Sequence, residues 1–140
     1  MSTVLWANVL VDGAVTSDES DHLALYQHAE RLDAITRELQ LKPFLEICDT
    51  TDQRYNVEGH ELPPGMTSTN ELMAAEGSWM PLAGALAMLE ALRGHIVAKN
   101  VRFGLLRNQQ AQVLAELDEV IAFAREHAVR EGEFNFAVVM

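Results

Sequence analysis

The chain has 140 residues, 49% of them hydrophobic and 22% charged, and its 21 acidic against ten basic side chains give a formal net charge of −11. A chain of this size buries about two thirds of its unfolded surface around one core, so a single globular domain over 1–140 is expected and general disorder is not. The acidic balance argues against nucleic-acid binding, because the phosphate backbone repels a net-negative surface.

Residues 3–11, "TVLWANVLV", are rich in β-branched and aromatic side chains and stop at Asp12-Gly13, a turn signal, which predicts a strand. Both of its faces are mostly apolar, with Asn8 the clearly polar exception, so it is expected to be central or covered on both sides. Thr16 and Glu19 stand at capping-box spacing and predict a helix over about 18–40, with Leu25, Ala29, Leu32, Ile35 and Leu39 on its buried face. Pro43 ends it, and "FLEIC" is expected as a short strand.

After a polar segment, Ser68 and Glu71 again have capping-box spacing and predict a short helix, which Gly77-Ser78 interrupts. Ser78 is expected to cap the next helix, with Pro81 in its first turn and Leu82, Leu86, Leu89, Leu92 and Ile96 buried. A last helix over about 108–130 presents Val113, Leu117, Val120, Ile121 and Ala124, with Gly132 as its C-terminal cap. "EFNFAVVM" is expected to join the sheet of the first strand. The fold class is α+β: a small, mostly antiparallel sheet of three or four strands, holding the N- and C-terminal strands together, covered by three or four helices.

The single cysteine, Cys48, makes no internal disulfide, the N-terminus lacks a basic region before its apolar run, and no apolar run reaches the ~18 residues of a membrane span. A cytoplasmic protein without membrane contact is expected. The charge is uneven. Residues 1–70 hold twelve acids against four bases, while the window between Glu90 and Glu116 holds no acid and four cations, Arg93, Lys99, Arg102 and Arg107.

The stretch "CDTTDQRYNVEGHELPPGMTSTN" is the feature that asks for a functional explanation. A polar connection longer than about 12–15 residues is uncommon in a compact domain and tends to be a binding loop or a lid. Its candidate contact residues are Asp49, Asp52, Arg54, Tyr55, Glu58, His60 and Glu61. "ICDTTD" is slightly similar, through Asp49 and Thr51, to the nucleophile motif of haloacid dehalogenase-type phosphatases. The second aspartate of D-x-D is Thr51 here, and no later lysine with paired acids completes the set.

No nucleophile elbow, Walker loop, dinucleotide fingerprint or CxxC occurs, so an enzyme is not the preferred class and no cofactor is expected. The leading expectation is an acidic binding protein that engages a basic protein partner through the 49–67 loop, as an inhibitor, antitoxin or immunity protein would. The alternatives are a metal-assisted hydrolase using Asp49, Asp52 and His60, and a homodimer or other oligomer joined through Trp6, Trp79 or the C-terminal strand. Arg102 and Arg107, before a helix expected to open near Asn108, form a weaker candidate anion site, and ion pairing with the acid-rich first half of the same chain, or of a second subunit, is its rival.

Overall fold

The computed structural model describes residues 2–128 and 131–140. Strand β1 (Val4–Val11) turns at Asp12 and Gly13, both with positive φ (51° and 78°), and returns as β2 (Ala14–Ser17). This is the left-handed two-residue hairpin turn that Asp-Gly favours. The second strand of this hairpin is not among the expected elements.

Helix α1 (Leu23–Gln27) begins later than Thr16 predicts, because Thr16 lies in β2 and residues 18–22 are tied to β1. The Asp18 carboxylate accepts the N–H groups of Ala7 and Ser20 and meets His22 Nε2 at 2.7 Å, while Leu5 and His22 exchange backbone hydrogen bonds. Helix α2 (Ala29–Glu38) follows after a break at His28, whose imidazole is held by Gln109 at 2.6 Å and lies edge-on to Phe103.

"FLEI" is a single 3-10 turn rather than a strand. Side chains of α2 dictate this: Thr36 Oγ1 accepts the Phe44 N–H at 3.0 Å and Asp33 Oδ1 accepts the Leu45 N–H at 2.9 Å, which bends the backbone away from a ladder. Only Cys48–Asp49 extends, as β3. Helix α3 (Thr69–Glu76) is capped as expected, with Ser68 Oγ accepting the Glu71 N–H.

β4 (Met80–Pro81) occupies the place expected for the start of α4 (Leu82–Lys99). Ser78 therefore caps nothing, and the Leu82 N–H at the head of α4 is taken by the Gly132 carbonyl at 2.9 Å. Helix α5 (Gln110–Glu126) ends short of residues 129 and 130, which lie outside the described residues. β5 (Glu133–Val139) closes the chain. Gly132 is not a helix cap: a Cβ there would meet the Leu10 carbonyl oxygen at 2.9 Å, so the close approach of β5 to β1 requires glycine.

Among the described residues these strands make one five-stranded sheet in the order β2-β1-β5-β3, with β4 also pairing β5. All pairings are antiparallel except β3 with β5, and the register places Ala7 opposite Phe136 and Asn8 opposite Asn135. Strand alternation sorts the two faces. Leu5, Ala7, Val9, Phe134, Phe136 and Val138 pack with α1, α2, α4 and α5 in the main core, and the opposite face packs Val4, Ala137 and Val139 with Met73, Trp6 and Trp79. The helical stripes largely follow the expectation: Leu25, Ala29, Leu32 and Ile35, Leu82, Leu89, Leu92 and Ile96, and all five residues named on α5 are buried, whereas Leu39 and Leu86 are half-buried at the edge of the core. No helix of the described residues is long and apolar enough to cross a membrane.

Candidate functional site

The chain from Thr50 to Ser68 passes from the β3 edge to the head of α3, and local hydrogen bonding gives it two regular turns. The first is a π-helical turn, Gln53–Val57, closed by Glu58 N–H to the Gln53 carbonyl and His60 N–H to the Arg54 carbonyl. Gly59, at φ 78°, supplies the left-handed residue that such a closure needs. The second is Pro63-Pro64-Gly65-Met66, where the Met66 N–H bonds the Pro63 carbonyl at 3.2 Å and Gly65 has φ 87°. Pro at the second position and a positive-φ glycine at the third are the demands of a type II turn.

Asp49 does not belong to this surface. It is 4% exposed, and its carboxylate accepts the N–H of Thr51 and of Ser78, each at 2.9 Å, so its two oxygens join the start of the excursion to the chain that leaves α3. Asp52 Oδ1 accepts from Asn56 Nδ2 and from Thr69 Oγ1, which fastens the π-turn to α3. Four expected residues do come together in the open. The Arg54 guanidinium lies 5.8 Å from the Tyr55 ring centroid, that ring meets His60 edge-on at 5.7 Å, and His60 Nε2 is 3.9 Å from Glu58. Glu61 is exposed beside His60 in sequence.

Asp49, Asp52 and His60 are thus engaged separately, and among the described residues no three His, Cys, Asp or Glu side chains are grouped to hold a metal ion. Cys48 is no better placed as a nucleophile. Burial, and secondly the nearby Asp33 carboxylate, push its thiol up to about 12, and Sγ donates to the Phe44 carbonyl.

Within the chain, the cation of this window that forms an ion pair is Arg93, among the described residues. Arg93 pairs with Asp118, and Glu90 with Arg125 at 2.6 Å, so these contacts tie α4 to α5 instead of to the acid-rich first half. Arg102 donates to the carbonyls of Gly104 and Leu105, and Asn108 Oδ1 takes the Gln110 N–H at the head of α5. Arg102 is thus committed in part to the loop's own carbonyls, while Arg107 makes no ion pair among the described residues. The C-terminal strand has β1 on one side and β3 and β4 on the other, while Trp6 and Trp79 pack against the second apolar cluster and stay half-buried.

Beside the excursion lies a cleft of about 80 Å³ that the sequence does not announce, lined by residues that include Trp6, Asn8, Ser17, Glu19, Asp52 and Asn70. Asn8, 2% exposed, is fixed by donating to Asn135 Oδ1, while Asn135 donates to the Ser78 carbonyl. A lone Asn in an apolar strand is the signal that marks this place. Trp6 Nε1 donates to Asp21 at 2.8 Å, which brings a further carboxylate to the same side. Comparison with protein-family models, with curated proteins and with solved structures finds no match.

Proposed function

We propose that this chain is an acidic binding protein that engages a basic protein partner through the surface formed by Asp52, Arg54, Tyr55, Glu58, His60 and Glu61 with the adjoining Glu19. The carrying observation is the cleft between β1, β2 and the head of α3, where Glu19 and Asp52 flank a floor that includes the buried amide of Asn8. A lysine or arginine side chain of a partner suits such a cleft, since it would meet carboxylates at its head group and the Trp6 and Met73 side chains along its stem. Arg54 against the Tyr55 ring, with His60 edge-on to it, supplies an aromatic contact next to it, at a low ordering cost on binding. Asp49 drops out of the contact surface, and the surrounding acidic charge speeds encounter with a cationic partner.

The test is affinity capture at low and at moderate salt with the wild-type chain and with Glu19→Gln/Asp52→Asn/Glu58→Gln. The expected result is a basic partner whose binding weakens at least ~10-fold in the triple variant and falls with salt. Recovery of no partner at either salt concentration, or equal capture by both proteins, removes this reading.

A further inference from the structure

The connection between α4 and α5 carries two leucines with no cover at all: Leu105 is 96% and Leu106 102% exposed. Hydrogen bonds frame this tip at both of its ends. Val101 and Phe103 are buried beneath it, Arg102 donates to the carbonyls of Gly104 and Leu105, Asn108 takes the Phe103 N–H, and Gln109 N–H bonds the Phe103 carbonyl at 2.7 Å. Gly104, at φ 101°, makes the bend, and a Cβ there would meet the Arg107 carbonyl oxygen at 2.5 Å. A pair of leucines held out into water by a bonded frame is an apolar anchor in search of a pocket. It stands in the longest acid-free stretch of the chain, beside Arg102 and Arg107, and Arg107 has no ion-pair partner among the described residues.

The complementary feature lies at the other end of α4. A cleft of about 800 Å³ is walled by Leu10, Pro81, Leu82 and Ala83 and rimmed by Glu131 and Glu133. Leu82 opens α4 and Lys99 closes it, so its 18 residues put about 27 Å between the cleft and the tip. The tip cannot fold back into its own cleft. We propose that the Gly104–Arg107 tip of one molecule docks in the Leu10/Leu82/Ala83 cleft of a second copy, with Leu105 and Leu106 on the apolar wall and Arg102 and Arg107 facing Glu131 and Glu133. The choice of a second copy rests on this matched charge and apolarity: two tips meeting each other would set four arginines together, whereas tip and cleft are opposite in sign. Because donor and acceptor surfaces differ, the contact is head-to-tail and builds rings or chains. It is small, and its affinity belongs to the weak class.

The experiment is sedimentation velocity from about 10 µM to about 1 mM, the range where so small a contact is populated. Wild type is expected to associate with rising concentration. Leu105→Ser/Leu106→Ser and Ala83→Trp/Glu133→Arg each change exposed residues, and circular dichroism and Tm verify that each remains folded. Each variant alone is expected to be monomeric, with association weakened by about tenfold or more per leucine removed. Mixed, they form a heterodimer and nothing larger, since the cleft variant still offers a tip and the loop variant still offers a cleft. A wild-type monomer throughout overturns the proposal, and so does association that survives in either single variant, which would mean a tip-to-tip or unrelated contact. Wild type that stays monomeric but binds anionic phosphatidylserine vesicles through Leu105 and Leu106 overturns it in favour of a lipid surface.

Discussion

Asp49 and Ser78 lie 29 residues apart in the chain, and the carboxylate of the first accepts the amide N–H of the second at 2.9 Å. With Thr51 N–H on the other oxygen, this buried side chain closes the excursion that carries the proposed contact surface. Asp49→Ala leaves two N–H groups without their acceptor, and the expected loss is about 2–6 kcal/mol, at roughly 1–3 for each buried unsatisfied group. Gly77→Ala should act at the same junction, because a Cβ there would meet the Met73 carbonyl oxygen at 2.4 Å and Asp49 Oδ2 at 2.9 Å. Urea unfolding measures both, and an Asp49→Ala midpoint equal to wild type would show that the junction is held by something else.

Glu116 on α5 reaches across to α1, where its two carboxylate oxygens accept the N–H groups of Ala24 and Leu25 at 3.1 and 3.0 Å. A helix of five residues has little stability of its own, so this borrowed cap is expected to decide whether α1 persists. Glu116→Ala should cost about 1–2 kcal/mol and raise hydrogen exchange at residues 24 and 25 before the rest of the molecule. Unchanged protection at those two amides would count against the cap.

The Asn8 and Asn135 side chains form a buried amide pair at 3.1 Å across β1 and β5. Truncating either strands polar atoms in the interior, while truncating both removes the partners together. Asn8→Ala and Asn135→Ala are each expected to cost about 1–3 kcal/mol, and the double variant less than their sum by at least about 0.5 kcal/mol. Strict additivity in a double-mutant cycle would show that the two amides do not act as a unit.

Cys48 predicts an alkaline limb of stability. Its thiol is pushed up to about 12 in the fold, so the folded chain holds that proton more tightly than the unfolded chain does. The contribution is fully present below the ordinary thiol value of about 8.5 and is lost as pH rises toward 12, at no more than about 1.4 kcal/mol per pH unit. Cys48→Ala should flatten this limb in unfolding measured from pH 8 to the alkaline limit of the fold, and slow alkylation of wild type at pH 8.5 should become fast in urea. Identical pH profiles for the two proteins would refute the linkage.

Periodic segments are legible in the sequence. The Leu82–Ile96 and Val113–Ala124 stripes lie on buried faces, Ser68 caps α3, and β5 pairs with β1. The misreadings share one cause. Thr16, Ser78 and Gly132 have the right type and spacing for caps, yet each is drawn into or beside the sheet by a strand partner: Val9 across the hairpin for Thr16, and, far along the sequence, Asn135 for the Ser78 carbonyl and Leu10 and Leu82 for Gly132. Among the candidate site residues, Arg54, Tyr55, Glu58 and His60 do meet, because a single π-turn and Gly59 bring them together locally. Asp49 was indistinguishable from them on composition.

What the sequence by itself determined is therefore the α+β class, the helical faces and the acidic character, since periodicity and charge are properties of neighbouring residues. Tertiary closure decided which polar groups remain available. A carboxylate in a loop and one beneath a sheet edge are written with the same letter, and only the folded path shows that Asp49 is consumed by Thr51 and Ser78 while Glu19 and Asp52 line a cleft. The physical reason is that a buried acceptor must be satisfied by whichever N–H the chain's return brings to it, and that donor sits far along the sequence.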